Sequence, residues 1–218
     1  MKYRSKNLKI TCDGGGATGK STGAKLIAKK YNLSYLSSGL LYRYAGYVLL
    51  KHKPKKKIIF LKKIFNDLDY KRLNKINLHS PYISEQSAKI AKILKIRNIL
   101  KKYQKNFIKS NKGCVLEGRD ASTKILPNSD VKFFFICNLD TAAKRRYNEL
   151  RKFKKKINLS SVKKALKLRD NLDKKRKHSP LKKHKNAVVV NSGKLNKQAM
   201  VAKMSKYVDK ILKEKYGN

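Results

Sequence analysis

The chain has 218 residues, with 57 Lys and Arg against 13 Asp and Glu, and a formal charge of +44 at pH 7. Its 40% apolar content supplies a buried core, which excludes a wholly disordered basic tail, and its length fits one domain over residues 1–218. The longest apolar runs, such as Phe133 to Cys137, fall far short of the roughly 20 residues that cross a bilayer, and Met1 to Leu8 lacks the apolar centre of a signal peptide. A cytoplasmic protein with no membrane partner is expected.

Leu8 to Asp13 (LKITCD) predicts a short strand ending in a glycine cluster, and Gly19 to Tyr31 a helix with Ala24, Leu26, Ile27 and Ala28 in helical spacing. Ser34 to Leu36 reads as a second strand and Gly39 to Leu50 as a second helix. Lys51 to Ser80 is Lys-rich, with scattered Ile, Leu and Phe, and reads as a peripheral insert of helix and irregular strand. Ser84 to Ser110 predicts one long amphipathic helix or a helix pair, because Ile90, Ile93, Leu94, Ile96, Ile99, Leu100 and Tyr103 recur near i, i+3, i+4. Gly113 to Leu116 and Val131 to Ile136 (VKFFFI) are apolar runs of strand length, as expected for strands buried on both faces. Phe133, Phe134 and Phe135 are accordingly read as core. Thr141 to Phe153 and Leu159 to Lys177 predict basic helices, Ala187 to Val190 a fifth buried strand, and Lys197 to Lys215 a closing helix. The basic run 151–156 reads as a solvated face.

Strands alternating with helices predict an α/β fold: a five-stranded parallel sheet flanked by helices, with ligands beyond the carboxyl ends of the strands. Gly14-Gly15-Gly16-Ala17-Thr18-Gly19-Lys20-Ser21, followed by Thr22, matches GxxxxGK[ST] at a strand-to-helix junction. Glycines let successive backbone N–H groups point into one concavity, and the helix N-terminus adds partial positive charge. This is the chemistry of nucleoside triphosphate binding, with Lys20 reaching the β- and γ-phosphates and the Ser21 hydroxyl ligating Mg²⁺, and it leaves GTPase, ATPase motor and small-molecule kinase open. Asp13 and Glu117, at the ends of the first and third strands, read as Mg²⁺-water ligands or as loop anchors. No NKxD tetrapeptide of a GTPase is present and the core is small for a motor domain, which makes a small kinase the leading class.

Cys12, Cys114 and Cys137 lie in apolar runs and read as buried small hydrophobes, while His52, His79, His178 and His184 are scattered, which argues against zinc. The charge invites a nucleic-acid reading. However, the surplus is mostly Lys spread along the chain, beside abundant Asn, Ile and Tyr, residues of A/T-rich codons. No specific nucleic-acid partner is therefore expected.

Four further elements stand out, the first two of them where the strand-end rule directs attention. Ser37-Ser38-Gly39-Leu40-Leu41-Tyr42-Arg43 follows the second strand, and Gly118-Arg119-Asp120 with its trailing Pro127 follows the third. Arg169-Asp170-Asn171-Leu172-Asp173-Lys174-Lys175-Arg176 comes next, then Ser179-Pro180-Leu181. Together with the phosphate loop, and in this order over about residues 8–193, they make the chain similar to the bacterial cytidylate (CMP) kinase family of P-loop nucleoside monophosphate kinases.

The resemblance implies a P-loop kinase fold with a monophosphate-side insert over about residues 44–87 and a helical lid over about 150–180. It implies ATP-dependent phosphorylation of CMP or dCMP; separately, a monomer is expected. The implied phosphate grip comes from Ser38, Arg43 and Arg119, with Asp120 accepting from the cytosine amine and Arg97 donating to the N3/O2 edge. Asp173 and Arg169 would take the ribose hydroxyls, and Arg176 would close over the transferring phosphate with Arg145, Arg146 and Arg169. Lys20, Arg119, Arg169 and Arg176 are thus the implied catalytic set. Ala88 stands where the family usually has Ser, with Ser87 beside it, and Leu172 and Lys174 stand where arginines are common. The rival readings are a small P-loop kinase for another nucleoside monophosphate or a coenzyme precursor, and a nucleic-acid-binding protein that uses ATP.

Overall fold

A computed structural model describes residues 7–152 and 156–217, and in it the chain divides into two compact units: Met1–Leu36 with Ser110–Asn218, and Ser37–Lys109. The expected helix end at Phe153 and the middle of the 151–156 run lie outside the described residues.

In the first unit, β1 (Lys9–Gly14) lies between β3 (Cys114–Gly118) and β4 (Val131–Ile136), parallel to both, and β4 pairs in parallel with β5 (Val188–Asn191). With β2 (Ser34–Ser37) beyond β3, the order is β2-β3-β1-β4-β5. Central β1 and β3 are buried on both faces, as continuous apolar runs predict. In β4 the run misleads. Val131, Phe133 and Phe135 are buried, whereas Lys132 and Phe134 are half-buried and Ile136 is exposed, so Phe134 is not the full core residue expected. β5, at the sheet edge, buries only Val190 completely, and Cys137 sits half-buried just past β4.

Helix α1 (Lys20–Lys30) lays Ala24, Ile27 and Ala28 into this core. Its Gly23 faces Phe135 so closely that a methyl group there would stand 2.6 Å from the ring. The closing helix α8 (Lys197–Tyr216) adds Met200, Met204, Val208 and Leu212, a stripe at four-residue spacing on one helix face. Each such burial contributes roughly 1.5–3 kcal/mol.

The second unit holds α2 (Ser38–His52), α3 (Lys57–Asn66), a 3₁₀ turn at Tyr70–Lys75, α4 (Pro81–Ile90) and α5 (Leu94–Ser110). Its buried residues include Leu41, Leu61, Phe65, Leu73, Ile96 and Leu100, with Tyr44 and Tyr103 edge-on to Phe65. Among the described residues the 51–80 segment is helix and turn, without the irregular strand expected. Ser80 accepts from Ile83 N–H and Pro81 takes the first helical position, which starts α4 three residues before the expected Ser84. The chain breaks at 91–93, so the 84–110 segment is a helix pair, and Ile93 and Leu94 at the break are exposed.

The remaining helices, α6 (Leu139–Arg151) and α7 (Leu159–Lys175), belong to the first unit and contact each other. Asn138 and Asn158 cap them by accepting backbone N–H groups, and Asn196 does the same for α8. Helix α1 differs. Gly19 is its N-cap and no side chain accepts there, so its first N–H groups remain available to an anion. No described helix is long and apolar enough to cross a membrane.

Candidate active site

The turn from β1 into α1 depends on its glycines at two points. Gly14 has φ +155°, and a methyl group on it would stand 2.5 Å from the Phe135 carbonyl oxygen; Gly19 has φ +77°, in the left-handed region. Ala17 also adopts positive φ, 53°, a strain of order 1 kcal/mol that the loop's bonds must hold. Thr18 Oγ1 donates to the Gly15 carbonyl at 3.0 Å, and Lys20 Nζ donates to the same oxygen at 3.0 Å. Ser21 and Thr22 are exposed on the first turn of α1.

Lys20 is buried, with Nζ 3.5 Å from Glu117 Oε1, and Glu117 Oε2 accepts from the Tyr35 hydroxyl at 3.0 Å. Burial, then the cation of Arg119, push the Lys20 ammonium down to about 8 against the pull of Glu117. It remains a cation at neutral pH, but one close to its titration.

Asp13 uses both oxygens on the turn after β3. Oδ1 accepts Ala121 N–H at 2.9 Å, and Oδ2 accepts Ser122 N–H at 2.7 Å and the Ser122 hydroxyl at 2.6 Å. This bonding is that of an anchor for the π turn Ala121–Ile125, which follows Arg119 and Asp120. Burial raises the Asp13 carboxyl and the Ser122 and Ala121 donors oppose it. Asp13→Asn turns an acceptor into a donor facing these groups, so chemical denaturation is expected to show a loss of about 2 kcal/mol. Unchanged stability would contradict the anchoring role.

The first unit also gathers five of the residues implied by the motifs. Arg119 Nε donates to Asp173 Oδ2 at 2.9 Å, and Arg176 Nη1 donates to Asp173 Oδ1 at 3.2 Å. Arg176 Nη2 lies 3.7 Å from Asp120 Oδ1, and its Nε donates to the Ser179 carbonyl at 2.6 Å. Asp173 is thus the anion between two arginines. Burial pushes its carboxyl up, but the cations of Arg119, Arg176 and Arg169 outweigh burial and hold it below the usual carboxylate value. Burial and the Arg119 cation bring the Arg169 guanidinium down to about 10, and its buried Nε has no hydrogen-bond partner among the described residues. Such a cluster of close cations is suited to phosphate oxygens, which would relieve the mutual repulsion.

In the second unit, Ser38 Oγ donates to the buried Gln104 Oε1 at 2.5 Å. Arg43 Nη1 donates to Ser84 Oγ at 2.6 Å and to the Leu78 carbonyl at 3.0 Å. Arg97 is buried, donates to the Ala91 carbonyl at 3.2 Å, and lies 5.6 Å over the Tyr42 ring. Ser87 is buried and donates to the Ser84 carbonyl, while Ala88 is half-buried.

Two residues of the first unit to which the motifs assign no role nonetheless touch the loop. Ser192 Oγ donates to the Thr18 carbonyl at 2.7 Å, and Arg145 donates to both Ser192 Oγ and Ser192 O, tying α6 to the loop. Asp170 Oδ1 accepts Gly16 N–H at 2.8 Å. The strand-end rule points to Ser192, which follows β5, and Asp170 is a rare acid in a basic helix. Arg146 instead pairs with Glu149 at 3.0 Å.

Among the described residues no group of three or more His, Cys, Asp or Glu gathers to hold a metal. A hard cation that keeps waters and substrate phosphate oxygens needs only one or two protein oxygens, and the exposed Ser21 hydroxyl on the first turn of α1 offers one.

The cytidylate kinase family profile matches residues 10–210. Among curated proteins, the chain is 39% identical over 209 residues to a cytidylate kinase of Bartonella tribocorum, covering 94% of this chain and 95% of that protein. It is 36% identical over 216 residues to one of Fusobacterium nucleatum, covering 94% and 99%. A solved structure of an uncharacterized protein from Eubacterium ventriosum superposes with a TM-score of 0.55 at 15% identity, over 93% of this chain and 99% of that one. That likeness speaks to the fold alone.

Proposed function

The chain belongs to the cytidylate kinase family, and on that footing we propose that it transfers the γ-phosphoryl group of ATP to CMP and dCMP, giving the diphosphates. The observation that carries the proposal is the buried Lys20 on the Gly15 carbonyl, in the same unit as the cluster of Arg119, Arg169 and Arg176. A cation at the phosphate loop and a set of closely spaced guanidinium groups are what phosphoryl transfer needs, since its demands are positioning and charge neutralisation.

In this reading the N–H groups of Gly14 to Thr22 hold the ATP phosphates, and Lys20 neutralises the charge that develops on the transferring group. Arg119 and Arg43 hold the acceptor phosphate, helped by the Ser38 hydroxyl, and the acceptor needs no general base because its phosphate is already an anion. Asp120 accepts from the cytosine amine and Arg97 donates to the ring edge. Asp173, with Arg169, takes the ribose hydroxyls while it aligns Arg119 and Arg176. Arg176 and Arg169 come over the phosphates with the lid of about residues 150–180, excluding water that would hydrolyse ATP. The roles of Ser38, Arg43 and Arg97, and of an insert over about 44–87, rest on the family motifs. Ser21, with Glu117 through water, would hold Mg²⁺, which supplies charge neutralisation on the phosphates when bound. The protein is proposed to act as a cytoplasmic monomer on nucleotides, with no nucleic-acid partner.

ADP release measured against CMP, dCMP, UMP, AMP and GMP tests this reading. CMP and dCMP should stimulate it most, and an absence of stimulation by any monophosphate would refute it. Stimulation by polynucleotide instead would favour the nucleic-acid rival. Asp120→Ala should narrow the preference for CMP over UMP about tenfold or more, because uracil presents an acceptor where cytosine presents a donor. Retained selectivity in that variant would contradict the base assignment.

A further inference from the structure

We propose that Asp170 is a built-in competitor of the nucleotide, a carboxylate on the phosphate loop's own donor that a triphosphate must displace. The inference rests on reading that loop as the ATP site.

Asp170 Oδ1 accepts the Gly16 N–H at 2.8 Å. A methyl group on Gly15 would stand 2.7 Å from Asp170 Oδ2, so the carboxylate lies against two successive loop residues. One turn earlier on α7, Leu166 sits so close that a methyl group on Gly16 would stand 2.5 Å from its Cδ1. Positions 166 and 170 share one helix face, which presses directly on the loop. A carboxylate and a phosphate make the same demand on a backbone N–H: each is an anion with accepting oxygens. The Asp170 charge also acts on Lys20, Arg119 and Arg169, cations that the proposed mechanism assigns to phosphates.

Two anions cannot share one donor, and a triphosphate placed beside Asp170 would be repelled by it. The triphosphate carries more charge and more acceptors, so it prevails, but with an affinity lowered by the competition. Displacing Asp170 moves the face of α7 that also carries Leu166 off the loop. Nucleotide entry is thereby coupled to a movement of α7, and Asp170 sets its cost.

Calorimetric titration of the full chain with ATP, without acceptor, tests this. Asp170→Ala should bind ATP about tenfold more tightly than the wild type, with Asp170→Asn between them because the amide oxygen still accepts but carries no charge. Inorganic tripolyphosphate should follow the same order, and adenosine should show no change. Equal or weaker ATP binding by the folded variants would overturn the proposal, as would an equal gain for adenosine, which would mark a general loosening. Failure of the wild-type chain to bind ATP would instead refute the loop reading on which the proposal rests. Should Asp170→Ala not fold, the isosteric Asp170→Asn carries the same comparison.

Discussion

Lys20→Ala is expected to lower phosphoryl transfer about a thousandfold or more, with the far-UV circular dichroism of the chain unchanged. The side chain crosses the loop to the Gly15 carbonyl, close to Glu117, and no neighbouring cation of the loop can take over its position. The wild type should report the same residue through pH. Because burial and Arg119 bring Lys20 down to about 8, kcat/KM for ATP should fall as pH rises through that value. The stability effect has the opposite sign. Between about 8 and the ordinary 10.5 the unfolded chain binds a proton that the folded chain does not, so this residue's contribution to stability rises with pH across that window. The difference between wild type and Lys20→Ala in urea unfolding isolates it. A pH-independent difference, or a variant that retains activity, would contradict the assignment.

Asp173→Ala is expected to cost about 3 kcal/mol and most of the activity together. Removing the anion takes from Arg119 and Arg176, both largely buried, the carboxylate that each hydrogen-bonds, and leaves their repulsion with Arg169 less compensated. The loss should depend on pH in a defined way. Asp173 is held below the ordinary 3.8, so its contribution is fully present above that value and disappears as pH falls through the folded-state value. Wild type and variant should therefore converge in acid. Thermal unfolding followed from pH 7 downwards checks this, and a variant as stable as the wild type at pH 7 would remove Asp173 from the centre of the network.

The parts of the fold and site that were readable in the sequence are those whose signal is local. The glycine loop between β1 and α1 is one. Its residues need positive φ and close backbone approach, and the helix after it has regular apolar spacing. The misread parts involve contacts that a linear pattern does not contain. The apolar run of β4 does not say which residues face a covering helix, and Phe134 and Ile136 lie on the less covered side. The apolar spacing of 84–110 continues through the break at 91–93, where Ile93 and Leu94 are exposed. The Ser80-Pro81 cap that starts α4, by contrast, is a local signal present in the sequence. Asp170 and Ser192 acquire their meaning from partners on the loop 154 and 174 residues away, and Asp173 from Arg119 54 residues away.

The fate of the γ-phosphoryl group tests the account most directly. With ATP labelled in its γ-phosphate and unlabelled CMP, the account predicts that label enters CDP in a one-to-one ratio with the ADP formed, and that Lys20→Ala abolishes both. Label released as inorganic phosphate while CMP stays unmodified would contradict it.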